Sequence, residues 1–142
     1  MKVRIKKLHP DAVIPKYAKP GDAGMDLVAV SKEETLKYTQ YKTGLAFEIP
    51  DGHVGLVFPR SSNCNIDLIM SNCVAVIDSK YRGEVMIRFK KHFTLIDDLR
   101  KVYEVGDRVA QIIIMPYPEI EFEEVDDLSE TERGDGGFGS TN

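Results

Sequence analysis

The chain has 142 residues, 42% of them apolar, and a formal net charge of −4. That is about one domain's worth, with enough apolar side chains for one core that needs neither disulfides nor a structural metal. Two cysteines exclude a disulfide framework, the lack of a run of ~18 apolar residues excludes a membrane-spanning helix, and the mild charge excludes the basic stripe of a protein built to grip nucleic-acid phosphates.

The charge is uneven. Residues 119–135 hold nine acids and one base, so the other residues carry a charge of +4 and would accept one small polyanion. The acidic stretch reads as a solvated strand and linker. The opening Met1-Lys2-Val3-Arg4-Ile5-Lys6-Lys7 alternates charge with apolar residues and lacks the apolar run of a signal peptide. A soluble protein of a reducing compartment, the cytoplasm, is expected.

The dominant period along the chain is two. Val3 and Ile5 alternate with charge, with Lys7 as a further member. Leu45, Phe47 and Ile49 share one face of a segment that ends at the turn signal Pro50-Asp51-Gly52. Residues 54–58 form a short apolar strand stopped by Pro59. A serine of Ser61-Ser62 is expected to cap one or two helical turns. Residues 73–77 and 109–115 are β-branched and nearly continuous, the pattern of strands buried on both faces. Val85, Ile87 and Phe89 alternate again. Residues 90–101 suit a hairpin or an extended loop. Ile120 and Phe122 begin a last strand after Pro116 and Pro118. Such spacing suggests an all-β barrel or sandwich. The end of the chain is different: Gly134, Gly136, Gly137 and Gly139 make ordering costly, so residues 131–142 are expected to be mobile until held.

Several familiar chemistries are missing. There is no phosphate-binding P-loop motif and no G-x-S-x-G elbow. Gly134, Gly136 and Gly139 match G-x-G-x-x-G, but a dinucleotide fingerprint must follow a strand and open a helix. His9, His53, His92, Cys64 and Cys73 show no zinc spacing, and the cysteines read as small buried or half-buried thiols.

Five short islands remain. In Ala23-Gly24-Met25-Asp26-Leu27 a glycine allows close approach and an acid begins a strand, although a plain turn has the same pattern. Pro59-Arg60-Ser61-Ser62 offers a cation, hydroxyls and free N–H groups suited to phosphate oxygens, or an ordinary cap beside a surface arginine. In residues 72–83 an apolar strand ends at Asp78, and a turn brings Tyr81 back near it. A carboxylate there can be a general base with an aromatic to pack on a sugar or base, or an aspartate that caps its own turn. In residues 106–111 Gln111 is a polar residue in an apolar strand and must find a partner. Residues 133–141 place Arg133, Phe138, Ser140 and Thr141 on a glycine strap, the parts of a lid over a nucleotide or of a solvating tail.

In this order, from about residue 23 to residue 141, the five islands resemble the five motifs of the trimeric dUTPase family. The strongest matches are Val76-Ile77-Asp78 with Tyr81 and Gly83, then residues 106–111, then residues 133–141. The resemblance implies an all-β, distorted jelly-roll β-barrel (a β-clip) with at most one short helix. It implies a homotrimer with active sites shared between subunits, with residues 1–130 as the barrel and 131–142 as a lid. The implied reaction is hydrolysis of dUTP to dUMP and pyrophosphate, with Mg2+ held on the triphosphate. That reaction would limit uracil incorporation into DNA and supply dUMP for dTTP synthesis.

Carried over by the resemblance, Asp78 deprotonates the water that attacks the α-phosphorus. Tyr81 packs on the deoxyribose and excludes a 2′-hydroxyl. Asn72, with Val76, Ile77 and the hairpin backbone as far as Met86, reads the uracil edge. Arg60, Ser61 and Ser62 hold phosphate oxygens. Asp26 and Gln111 touch the magnesium's water shell or phosphates, with no direct protein ligand expected. Phe138 covers the uracil beside Gly139, and Arg133, Ser140 and Thr141 grip the outer phosphates. The chain departs from the family pattern at Ser62 and Ala75, where glycine is common, and in the longer residues 89–105. Two rivals exist: a dCTP deaminase on the same fold, marked by ammonia release, and a binding module that has lost turnover, marked by nucleotide binding without pyrophosphate release.

Overall fold

Short β-branched runs punctuated by Pro, Gly and Asp build strands rather than helices. The computed structural model describes residues 1–91 and 101–137. In chain order the strands are β1 (Arg4–Lys7), β2 (Met25–Val28), β3 (Ser31–Glu34), β4 (Thr39–Lys42), β5 (Leu45–Glu48), β6 (His53–Phe58), β7 (Leu68–Met70), β8 (Ala75–Ile77), β9 (Met86–Lys91) and β10 (Arg108–Pro116). Among the described residues the helical content is one 3₁₀ turn, Ser61–Asn65.

Among the described residues all strand pairings are antiparallel. One four-stranded sheet has the order β2-β10-β6-β8, a second has β3-β4-β9-β7, and β1 pairs with β5. The chain passes from the first sheet to the second at Ala29 and Val30. There Ala29 N–H donates to the Asp107 carbonyl at 2.9 Å and Val30 N–H to that of Lys42 at 2.8 Å. The result is the expected distorted jelly roll, left open rather than closed into one continuous ladder.

The core lies between the sheets. Leu27, Val57, Val109, Ala110 and Ile112 come from the first sheet, and Tyr41, Leu68, Met70, Ile87 and Phe89 from the second. Val85, Ile87 and Phe89 all point inward, as their alternation predicts. Tyr41, Phe89 and Tyr103 form an aromatic cluster with ring centroids 5.6–6.0 Å apart. The Tyr41 hydroxyl is satisfied by the Tyr103 carbonyl at 2.8 Å. Edge-to-face contacts of this kind add to the gain from burial alone.

Four local expectations are corrected. The stretch predicted as a strand over 73–77 is a strand only over Ala75–Ile77. Cys73 turns the chain at φ 56°, and Val74 and Val76 are exposed. β8 is the edge strand of its sheet, paired among the described residues only with β6, and Val76 stands on its solvent side. The strand predicted at Ile120 and Phe122 is absent, and both side chains are exposed. Pro116 and Pro118 remove ladder donors there, and the acids that follow favour solvent. The 3₁₀ turn is capped at Arg60 without a side-chain cap, so neither serine plays that role. Both cysteines are free and exposed rather than half-buried. The hairpin or extended loop expected over 90–101 lies largely outside the described residues.

Candidate active site

Strand register explains why residues far apart in sequence share one place. Gln111 on β10 stands opposite Asp26 on β2 and, on its other side, opposite Phe58 on β6. The end of β6 then delivers Arg60. The Arg60 Nε donates to Asp26 Oδ1 at 2.6 Å, and its Nη1 donates to Ser62 Oγ at 2.9 Å. Arg108 Nη1 reaches Asp26 Oδ2 at 3.4 Å. Gln111 meets its need for a partner by donating from Nε2 to the Pro59 carbonyl at 3.0 Å, which leaves Oε1 as an acceptor. That oxygen lies against Gly24, where a Cβ would come to 2.5 Å from it and would make the Gln111 amide swing aside.

The 3₁₀ turn that carries Ser61 and Ser62 is tied to the core. The Tyr103 hydroxyl donates to Asn63 Oδ1 at 3.1 Å, and Asn63 Nδ2 donates to the Leu68 carbonyl at 3.0 Å. Burial raises the pKa of Tyr103 and outweighs the opposing effect of the nearby Arg60 cation, which keeps the hydroxyl a donor. Two guanidinium groups around one carboxylate leave this cluster with a net positive charge. Charge-assisted, forked donors of this kind suit phosphate oxygens.

A second cluster lies beyond β8. A pocket of about 460 Å³ is lined by Ser71, Asn72, Ala75, Val76, Ile77, Asp78, Tyr81, Glu84, Val85, Met86 and Arg88. The turn after β8 is closed by the Tyr81 N–H, which donates to the Asp78 carbonyl at 3.0 Å. Arg82 Nη1 donates to the carbonyls of Ser79 and Tyr81 at 2.6 and 2.9 Å, and the Tyr81 hydroxyl donates to the Glu84 carbonyl at 3.1 Å. Asp78 is exposed at the lip, where it also borders a smaller cavity lined by His53, Val54, Ser79 and Tyr117.

The residues singled out from sequence thus fall into two groups. Asn72, Val76, Ile77, Asp78, Tyr81 and Met86 share the pocket. Asp26, Arg60, Ser62 and Gln111 share the cationic cluster, with exposed Ser61 beside them. Arg133 joins neither: its Nε donates to the nearby Gly136 carbonyl at 3.0 Å. Phe138, Gly139, Ser140 and Thr141 lie outside the described residues. Sequence reading missed Ser71, Glu84 and Arg88. Arg88 had a usable signal, since it lies two residues beyond Met86 on the same face of β9.

The two groups are far apart in one chain. Gly55 pairs with Ile77, which sets Asp78 beside Val54, while Arg60 is six residues further along. At ~3.3 Å per extended residue the separation is roughly 20 Å. Among the described residues no three His, Cys, Asp or Glu side chains group as a metal cage. The available oxygens, Gln111 Oε1 and an Asp26 carboxylate already in ion pairs, suit contact with a hydrated ion on a ligand.

The family model described as dUTPase matches residues 10–142. A deoxyuridine 5′-triphosphate nucleotidohydrolase from a Picosynechococcus species is 40% identical, over 99% of both chains. A Hydrogenobaculum protein of the same name is 36% identical, over 99% of this chain and 98% of its own length. Among solved structures, the dUTPase of Staphylococcus bacteriophage 80alpha with dUpNHpp superposes with a TM-score of 0.81 at 28% identity. That match covers 99% of this chain and 98% of that one.

Proposed function

The chain belongs to the dUTPase family, and from that premise we infer that it hydrolyses dUTP to dUMP and pyrophosphate. The activity lowers dUTP, limits uracil incorporation into DNA and supplies dUMP for dTTP synthesis. The observation that carries this reading is the single pocket that gathers Asp78, Tyr81, Asn72 and Met86 in a chain matched by the family along nearly its whole length.

In this reading the pocket takes the deoxyuridine. Asn72 and the strand edges around Val76, Ile77 and Met86 meet the polar edge of uracil, and their closeness rejects a 5-methyl group by overlap. Tyr81 lies against the deoxyribose and leaves a 2′-hydroxyl no partner. Asp78, at the lip, accepts a proton from the water that attacks the α-phosphorus. The leaving pyrophosphate departs on the opposite side.

The phosphates need cations, and Asp78 has Arg60 only at a distance of roughly 20 Å in its own chain. That spacing favours a triphosphate held by the Arg60 of another copy when its α-phosphorus lies within reach of Asp78. A second copy resolves this, and a closed threefold ring of heterologous contacts repeats the solution three times. The site is accordingly shared: Asp78, Asn72 and Tyr81 from one subunit face Arg60, Ser61, Ser62 and Gln111 of another. The tail, residues 131–142, closes the site, with Phe138 and Gly139 over the base and Arg133, Ser140 and Thr141 on the outer phosphates.

Gln111 Oε1 and Asp26 would hold the waters of a magnesium ion bound to the triphosphate, and that ion would supply charge neutralisation to the phosphates. The two exposed thiols suit a reducing, cytoplasmic setting. Pyrophosphate release measured on dUTP, UTP, dTTP and dCTP tests the reading. Release from dUTP well above the other three supports it, while ammonia release from dCTP or binding without turnover contradicts it.

A further inference from the structure

Tyr103 has no part in the mechanism above, yet it is held along its whole length. Its backbone carbonyl accepts from the Tyr41 hydroxyl at 2.8 Å. Its ring packs against Tyr41 and Phe89 at centroid distances of 6.0 and 5.6 Å. The segment that leads to it is pinned as well. Lys101 N–H donates to Asp67 Oδ2 at 2.7 Å, and Asp67 N–H donates back to the Lys101 carbonyl at 2.8 Å. Tyr103 is 4% exposed, so its hydroxyl must find a partner inside the protein.

That partner belongs to the turn beside the cationic cluster. The hydroxyl donates to Asn63 Oδ1, and Asn63 Nδ2 donates to the Leu68 carbonyl. Asn63 is the middle residue of the 3₁₀ turn Ser61–Asn65, which buries none of its residues and has no side-chain cap. So short a helix, with the poorer hydrogen bonds of its kind, depends on such a tie for a fixed position. On the same turn Ser62 Oγ accepts from Arg60 Nη1, while Asp26 Oδ1 accepts from Arg60 Nε. Burial raises the Tyr103 pKa, and the Arg60 cation and a hydrogen bond from Ser62 both work against that rise, so both groups lie at the phenol. A continuous path therefore runs from the aromatic core through the phenol and the turn to one guanidinium.

We propose that Tyr103 is a positioning residue whose hydroxyl, through Asn63 and Ser62, sets the Arg60 guanidinium in the direction that meets the phosphates of a bound nucleotide. The inference rests on Arg60 holding phosphate, as in the proposed function. A long arginine side chain samples many rotamers, and fixing one of them before the ligand arrives removes that ordering cost from binding. A polar network with every member satisfied is rigid enough to do this. The bonds of the hydroxyl run to the turn, so its removal should be felt by the phosphates and not by the base or the sugar.

The test compares two competitors of dUTP turnover, deoxyuridine and the triphosphate analogue dUpNHpp, on the wild-type protein, Tyr103→Phe and Asn63→Ala. Deoxyuridine carries the base and sugar alone, so the ratio of the two inhibition constants isolates the phosphates. Tyr103→Phe is expected to weaken dUpNHpp roughly two- to tenfold, the effect of one neutral hydrogen bond, and to leave deoxyuridine unchanged. Asn63→Ala removes both ties of the turn and should move the ratio further in the same direction. An unchanged ratio in Tyr103→Phe overturns the proposal. That includes an equal weakening of both competitors, which would mean that the hydroxyl serves the fold alone. If Tyr103→Phe does not fold, Asn63→Ala decides by the same criteria. A wild-type protein that does not cleave dUTP would instead remove the proposed function, and this inference with it.

Discussion

Tyr81 lies across Gly83, and a Cβ on residue 83 would overlap the phenol ring. The glycine is thus what lets the turn after β8 fold the ring down toward the pocket, where its hydroxyl reaches the Glu84 carbonyl. Gly83→Ala is expected to displace Tyr81 and to raise kcat/KM for UTP relative to dUTP, as Tyr81→Ala does more strongly. Steady-state kinetics on the two nucleotides measures this. A UTP-to-dUTP ratio equal to that of the wild type in both variants would place sugar selection elsewhere.

Asp78→Asn keeps the shape of the side chain and removes its basicity. The expected loss is ~10²–10⁴-fold in single-turnover rate, the usual contribution of a general base, with dUTP affinity nearly kept. Rapid-quench kinetics beside equilibrium binding separates the two quantities. Full turnover in this variant would exclude Asp78 as the base.

Deleting residues 133–142 should leave the fold intact, because the core is built from β2, β4, β5, β6, β7, β9 and β10 and the aromatic cluster around Tyr103. Turnover should fall sharply if the segment closes the site as proposed, because the proposed base stacking, worth roughly 1–3 kcal/mol, and the proposed phosphate contacts of Arg133 would go with it. Circular dichroism and pyrophosphate release check the two halves. Unchanged turnover after truncation would argue against a closing tail.

Acid should loosen the β3 edge of the second sheet. Hydrogen bonds from Lys32 and then Lys91 hold the Glu34 carboxyl below its ordinary value of 4.5, at ion-pair distances of 3.2 and 3.3 Å. A carboxylate whose folded pKa is depressed stabilises the fold above its unfolded value and loses that contribution as pH falls through the folded value. Both partners are solvent-exposed to some degree, so the effect is small, ~0.2–1 kcal/mol. Urea unfolding between pH 6 and pH 3 should show Glu34→Gln less stable than the wild type at the upper end, with the gap shrinking toward the lower. A gap that persists at low pH would assign the difference to packing instead.

The parts of the fold that depend on local period were legible in the sequence. The inward set Val85, Ile87 and Phe89 follows from alternation alone, and the turn at Pro50-Asp51-Gly52 follows from its residues. The meeting of Asp26, Gln111 and Arg60 was not derivable from spacing, because it is made by the registers of β2, β10 and β6. Only family resemblance pointed to it. Val74, Val76, Ile120 and Phe122 were misread as buried because period alone was read, while the turn at Cys73 and the prolines Pro116 and Pro118 decided their exposure. An apolar pattern says that a face favours burial, but not which chain covers it. The contact of Arg88 with Gln40, nearly fifty residues away in sequence, is made only by the pairing of β4 with β9.

The central claim is that one site needs two chains, and mixing two damaged proteins tests it most directly. Asp78→Asn subunits keep a sound Arg60, and Arg60→Gln subunits keep a sound Asp78. Each homotrimer should be nearly inactive. Unfolded together and refolded at equal ratio, the two should regain activity, because mixed rings pair a sound Asp78 with a sound Arg60 at about one junction in four for random assembly in a cyclic trimer. Pyrophosphate release from dUTP before and after mixing is the measurement. Recovery to about a quarter of wild-type turnover is the expected result, and a mixture no more active than its parts would contradict the shared site.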